Sequence, residues 1–233
     1  MCIRDRPQLI HLKAISSLGL ASCINQIAIG AVQIVMNNTL RYYGASSVYG
    51  SDIPIACVGI VSKVNMVFLA ICIGIAQGAQ PISSYNYGAK QADRVKKTFR
   101  LLVITCFVYS TLLWTAVELI PKAFVIIFTS DADLITFSAS MLRIYLGGLC
   151  LFGIQVACQM TFTSLGKAVN SIVVAVVRKF VLLIPLIYIV PHIVSDPTTG
   201  VYMAEPIADV IAVTFTSVLF AVQFKKALAE IQS

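Results

Sequence analysis

Charge is scarce in this sequence: 12% of residues are Asp, Glu, Lys or Arg, against 58% hydrophobic. A soluble domain carries about a quarter charged residues, so this chain could not cover a water-facing surface, and its mean hydropathy of +0.89 agrees. Histidine is nearly absent, and His11 and His192 lie far apart, which argues against a histidine-based metal centre. Seven cysteines are present, yet none forms a Cys-x-x-Cys pair and most lie in apolar runs. Cysteine acts there as a small hydrophobe, so neither a disulfide framework nor a metal site is expected. There is no Gly-x-Ser-x-Gly elbow and no His-Glu-x-x-His pair, and Ser164-Leu-Gly-Lys167 has only the end of a phosphate-binding loop. The sequence predicts no enzyme, no catalytic residue and no resident cofactor.

What is present is a series of apolar blocks, each long enough for the roughly 20 residues of a bilayer-spanning helix. They predict six spans, at about residues 14–40, 53–78, 101–120, 134–164, 170–191 and 201–224, hence an all-α integral membrane bundle in the lipid bilayer. At the start of the fourth, Ser130 is expected as the N-cap, with Asp131 and Asp133 favouring the positive helix end. The formal net charge of +7 comes from cations in short loops and at helix ends, a pattern of topology determinants rather than of a nucleic-acid surface. Arg4, Arg6, Lys13, the loop after the second span, Lys167, Lys225 and Lys226 fall on one side. The opposite loops carry Asp52, Asp131, Asp133 and Asp196, which puts both termini in the cytoplasm. Residues 1–8 stand apart as a leader, and Met1–Arg6, followed by Pro7 and Gln8, is not expected to be a cleavable signal.

The stretch from Gly74 to Arg100 organises the rest. A long apolar run is interrupted by Gly78 and Pro81. A polar turn is predicted over Tyr85, Asn86, Tyr87 and Gly88, and Lys90, Arg94, Lys96, Lys97 and Arg100 close the segment. This is how a helix leaves a bilayer: a breaker, an interfacial aromatic belt, then cations held in cytoplasmic water. Gly78, Gln80 and Pro81, with Tyr85, Asn86 and Gly88, are expected to form a flexing, gating cytoplasmic turn.

Charges inside spans are costly and usually face protein or water. Lys63 lies roughly 15 Å along its helix from Ile53, near the midplane, and reads as a pathway-lining cation or a partner for a buried acid. Arg143 either lines the pathway or reaches the interface. Arg178 and Lys179 point about 100° apart on an α-helix, so one is expected to face the bundle and the other the headgroups. Glu205 and Asp209, spaced i, i+4, stack on one helix face with Pro206 between them. They could bind H⁺ or Na⁺ or attract a cationic compound, or they could neutralise Lys63, Arg143 or Arg178. Gln26 and Gln155 could bond a substrate or another helix, and Met66 could line an adaptable apolar pocket.

Gly74-Ile-Ala-Gln-Gly-Ala-Gln-Pro81, Tyr85-Asn-Tyr-Gly-Ala-Lys90 with Arg94, Leu165-Gly-Lys167, Arg178 followed by Leu183-Ile-Pro185, and Pro206-Ile-Ala-Asp209 carry a resemblance to the multidrug and toxic compound extrusion (MATE) transporters, in particular the bacterial MepA-like branch. The resemblance covers residues 9–233 and is to the C-terminal lobe alone, helices seven to twelve of twelve. It implies part of a secondary antiporter in the bacterial inner membrane that exports small cationic lipophilic compounds in exchange for H⁺ or Na⁺. The partner it implies is a first six-helix lobe. Some members carry an acid in the seventh helix, whereas the first span here has none between Lys13 and Arg41, so coupling-ion binding does not transfer to that helix. Because Met1–Arg6 does not resemble the family, the chain is expected to be a fragment, inactive alone. Alternatives are a lobe of a lipid-linked saccharide flippase, which a strongly cationic cavity would favour, and a non-transporting membrane scaffold subunit.

Overall fold

The computed structural model describes residues 9–45, 47 and 50–232, with the side chains of all of these but 9–22, 24, 25, 168 and 230–232. The leader at 1–8 lies outside the described residues. Among the described residues every regular element is helical: α1 (Leu9–Gly44), α2 (Asp52–Gly88), α3 (Ala92–Leu119), α4 (Pro121–Ile126), α5 (Ala132–Tyr145), α6 (Leu149–Ser164), α7 (Ala168–Val176), a π-helical turn (Val177–Leu183), α8 (Ile184–Ile189), a 3₁₀ turn (Val190–His192) and α9 (Pro197–Gln232). By length and composition α2, α3, the stretch Val169–His192 and Pro197–Ala229 can each cross a membrane, and α5 with α6, bent by 51°, makes a fifth such unit. The 36-residue α1 completes a six-span all-α bundle.

The expected boundaries change at four places. The segment read as a turn, Tyr85 to Gly88, is the last turn of α2, which runs straight through Gly78, Gln80 and Pro81. Pro81 withholds only the N–H that would meet the Gln77 carbonyl. The helix end is tied down elsewhere: Asn86 Nδ2 donates to the Ile82 carbonyl at 2.8 Å, and Ser84 Oγ donates to the Ser164 carbonyl of α6 at 2.8 Å. The chain reverses at Ala89–Gln91, where Lys90 takes φ +56°. Arg94, Lys96, Lys97 and Arg100 therefore stand on α3 rather than in a loop.

The fourth span is broken at Leu146–Gly148. Consecutive glycines weaken a helix, and a Cβ on Gly148 would lie 2.9 Å from Asp209 Cβ, so only glycine lets α9 come this close. Its cap is Asp131, not Ser130: Asp131 Oδ1 accepts from the backbone N–H of Asp133 at 2.9 Å and of Leu134 at 3.3 Å. Asp131→Ala is expected to cost about 1 kcal/mol, read as a fall of a few degrees in Tm, whereas Ser130→Ala should leave Tm unchanged.

The fifth span is not a uniform α-helix. Its buried positions run Val174, Ala175, Arg178, Leu183, Ile187, Val190 and Pro191, and the step of five from Arg178 to Leu183 is the mark of the π-turn. The turn closes where the Ile184 N–H bonds the Lys179 carbonyl five residues back, and the next residue, Pro185, has no N–H to continue the ladder.

The main core joins Met36 and Leu40 of α1, Val58 and Val61 of α2, Leu142 of α5, Leu183 and Ile187 of the fifth span and Tyr202 of α9. Tyr202 is fully buried, and its hydroxyl donates to the Pro54 carbonyl at 2.7 Å. A second core packs Cys72 and Ala76 of α2 and Cys106 of α3 on Val156 and Ala157 of α6. Here α3 and α6 nearly touch. A Cβ on Gly153 would sit 2.5 Å from the Cys106 carbonyl oxygen, and Ser110 Oγ donates across to the Cys150 carbonyl at 3.0 Å.

Candidate functional site

Three irregular helices meet at one buried group of charges. From α9, Glu205 and Asp209 project off the same face, one turn apart, with Pro206 between them. From the π-turn comes Arg178. Its Nε donates to Asp209 Oδ1 at 2.7 Å, and its Nη2 donates to Glu205 Oε1 at 2.9 Å while standing 2.5 Å from Asp209 Oδ1. One guanidinium thus bridges both carboxylates, with the Phe152 ring of α6 4.6 Å from its Cζ, an arrangement suited to a delocalised planar cation. Lys179 completes the group, its Nζ 3.6 Å from Glu205 Oε1. Arg178, Glu205 and Asp209 are 7%, 3% and 6% exposed.

Two cations and two carboxylates make the group formally neutral, which is how charge is tolerated away from water. One acceptor is left over: Glu205 Oε2 is buried and has no hydrogen-bond partner among the described residues. Glu205 and Asp209 border a cavity of about 10 Å³, shared with Asn65 of α2 and Tyr145 of α5, the room for a single water. A second cavity of about 160 Å³ reaches the other side of Arg178 and Lys179, between Leu69 of α2 and Phe152, Gln155, Gln159 and Met160 of α6. Gln155 is 2% exposed, and its Oε1 is also unpartnered among the described residues.

Of the residues singled out from the sequence, Arg178, Glu205 and Asp209 come together, and Gln155 stands beside them. Between the two readings left open for the carboxylates, both pair with Arg178. Lys63 and Gln26 are exposed on α2 and α1, and Met66 is 74% exposed. None of these three joins the charge group, so Lys63 is not the partner of a buried acid. Arg143 is also elsewhere. Its Nη2 donates to the Glu118 carbonyl at 2.6 Å and its Nε is 3.8 Å from Glu118 Oε2, beside a surface groove of about 530 Å³ with α4. The expectation that Arg178 and Lys179 diverge, one inward and one to the headgroups, is corrected: both reach Glu205. A π-turn needs more than four residues per turn, so neighbouring side chains diverge less than on an α-helix. Tyr145 and Phe152 carry no mark in the sequence that separates them from ordinary core aromatics.

Comparison with known proteins bears on this architecture. The family model for MatE matches residues 21–189. The chain is 24% identical over 204 residues to the multidrug export protein MepA of Staphylococcus aureus strain MSSA476, covering 88% of this chain and 43% of that protein. It is 23% identical over 206 residues to MepA of Staphylococcus saprophyticus, with the same coverage. The chain therefore spans less than half the length of the curated relatives it matches. Among solved structures, a MATE in its bent conformation superposes with a TM-score of 0.88 at 16% identity, covering 99% of this chain and 49% of the other. An inward-facing multidrug resistance MATE family transporter gives 0.82 at 18% identity, covering 98% and 51%. At such identities the superpositions establish the fold. The family model, matched over most of the chain, establishes the rest: this multi-pass membrane chain belongs to the MatE family of multidrug efflux transporters.

Proposed function

We propose that the chain forms the C-terminal six-helix lobe of a secondary antiporter that exports small cationic, lipophilic compounds in exchange for H⁺ or Na⁺. It works in the bacterial inner membrane with both termini cytoplasmic and completes its pathway with a first six-helix lobe. The orientation rests on the lysines and arginines gathered at Lys90–Arg100, Lys167 and Lys225–Lys226. Its role is transport rather than catalysis.

The observation that carries this reading is the buried carboxylate pair on α9, whose Glu205 Oε2 stands unpartnered at the charge group. An intramembrane acid with a free oxygen is where a coupling ion is held. The flippase alternative needs a strongly cationic cavity. The charge group is neutral, and Lys63 and Arg143 lie away from it, so the geometry favours the antiporter.

The reading is tested in a drug-susceptible bacterium and in proteoliposomes. Expressed beside a first lobe of the same family, the chain is expected to lower ethidium accumulation, and expressed alone to leave it unchanged. With Glu205→Gln, exchange driven by an imposed H⁺ or Na⁺ gradient is expected to fall at least ~10-fold. Exchange that runs equally well in the variant, or that ignores both gradients, removes the carboxylates from coupling.

A further inference from the structure

The neutrality of the charge group sets a difficulty for anything positive that binds there. With both carboxylates already matched, an added cation leaves an uncompensated charge in the bundle unless a resident cation steps aside. The two residents are held very differently. Arg178 bridges both acids through bonds of 2.7 and 2.9 Å and lies against the Phe152 ring. Among the described residues Lys179 has one ion pair, at 3.6 Å, to an oxygen that Arg178 also uses. Its side chain is 15% exposed against 9% for Arg178. It also has somewhere to go, because it lines the 160 Å³ cavity into which Gln155 and Gln159 project, and the Gln155 Oε1 there is buried and unpartnered.

We infer that Lys179 is a tethered stand-in for an external alkylammonium ion: its ammonium group neutralises Glu205 while the site is empty and is displaced by a protonated amine that enters the 160 Å³ cavity. The lysine side chain is itself a butylammonium. What sits against Glu205 thus has the chemistry of the ligand that replaces it, one positive N–H donor group on a short apolar stem. The walls agree, being apolar at Leu69, Phe152 and Met160 with amide acceptors at Gln155 and Gln159. Displacement keeps the net charge against Glu205 constant, and the released ammonium passes the Gln155 carbonyl and snorkels out of the bundle on its four-carbon stem, so that no uncompensated charge stays inside. This deepens the antiporter reading above, since it takes the carboxylate proposed for coupling and gives it a resident competitor.

The test is equilibrium binding to the full chain in detergent micelles, with n-hexylammonium as the probe and n-hexanol as the uncharged control for partitioning. The wild-type chain is expected to show a saturable rise in Tm with hexylammonium and none with hexanol. Lys179→Ala should tighten the apparent Kd at least ~10-fold by removing the competitor. Lys179→Arg, whose planar fork holds a carboxylate more firmly, should weaken it by a similar factor, and it keeps the question decidable if the alanine variant does not fold. Glu205→Gln should abolish saturation. A wild-type chain that gives no saturable response, or the same Kd in the Lys179 variants, overturns the inference. Binding is read without transport. A chain that binds hexylammonium but, joined by a first lobe of the same family in proteoliposomes, exchanges no ion sinks the antiporter reading and leaves Lys179 displaceable, and the converse result does the opposite.

Discussion

Arg178→Met is expected to destabilise the lobe by about 3–5 kcal/mol, the usual cost of removing one partner from a buried ion pair. In a chain of this size that corresponds to a fall in Tm on the order of 10 °C. The loss comes from what remains rather than from the bonds themselves. Glu205 and Asp209 stay on one face of α9, within bonding reach of a single guanidinium, and only Lys179 is left to answer two negative charges. Circular dichroism of the purified chain during heating is the measurement. Replacing the charges together, as Arg178→Met with Glu205→Gln and Asp209→Asn, should recover most of the loss, because a buried ion group can be exchanged for neutral residues at little net cost while a half-removed one cannot. If the single variant melts with the wild type, the group contributes nothing to stability. If the triple variant is worse than the single, specific bonds outweigh the stranded charges.

The second large effect belongs to Gly153. Its Cβ position lies 2.5 Å from the Cys106 carbonyl oxygen, 2.7 Å from Ser110 Oγ and 2.8 Å from the Cys106 carbonyl carbon. Two of these are backbone atoms of α3, which cannot rotate away. Gly153→Val must therefore push α3 and α6 apart, break the bond from Ser110 to the Cys150 carbonyl and loosen the second core. The expected penalty is at the upper end of overpacking, about 3 kcal/mol. Gly78→Ala is the contrast. A Cβ there meets nothing within 4 Å, and an alanine in a helix interior is preferred by up to about 1 kcal/mol. The first variant should melt well below the wild type and the second at or above it. Equal melting of the two would contradict the closeness of α3 and α6.

These glycines also show which parts of the molecule were legible beforehand. Charge scarcity and block length were enough for the six-span bundle, because in hydrocarbon only a closed backbone hydrogen-bond ladder is tolerated and a helix supplies it. Glu205 and Asp209 stood out because i, i+4 spacing is geometry, and Arg178 because a cation in an apolar run demands a partner. Gly78 and Pro81 misled, since a breaker near a helix end is common, yet one missing N–H does not stop a helix fastened by Asn86 and Ser84. Lys179 was misplaced for a different reason. A 100° divergence of adjacent side chains holds for an α-helix, and nothing in Val177–Leu183 as a string of letters announces a wider turn. The bend at Gly147–Gly148 was hidden too, because a long apolar run containing a glycine pair reads equally well as one tilted span. The near contact of Gly148 with Asp209 is a tertiary fact that no local pattern contains.

The wider turn in the fifth span constrains how this chain can change in length. An α-helix advances 100° per residue, and the π-turn absorbs one residue more than an α-helical course would take between Arg178 and Leu183. Deleting a single residue there restores regular winding, but everything beyond it then rotates relative to everything before. Either Arg178 leaves the carboxylates, or Leu183 and Ile187, at 1% and 0% exposed, swing out of the core. Single-residue insertions and deletions, tolerated in a surface loop, therefore act in this helix like a misaligned gear tooth: one missing residue uncouples the charge group from the half of the span that holds the core together.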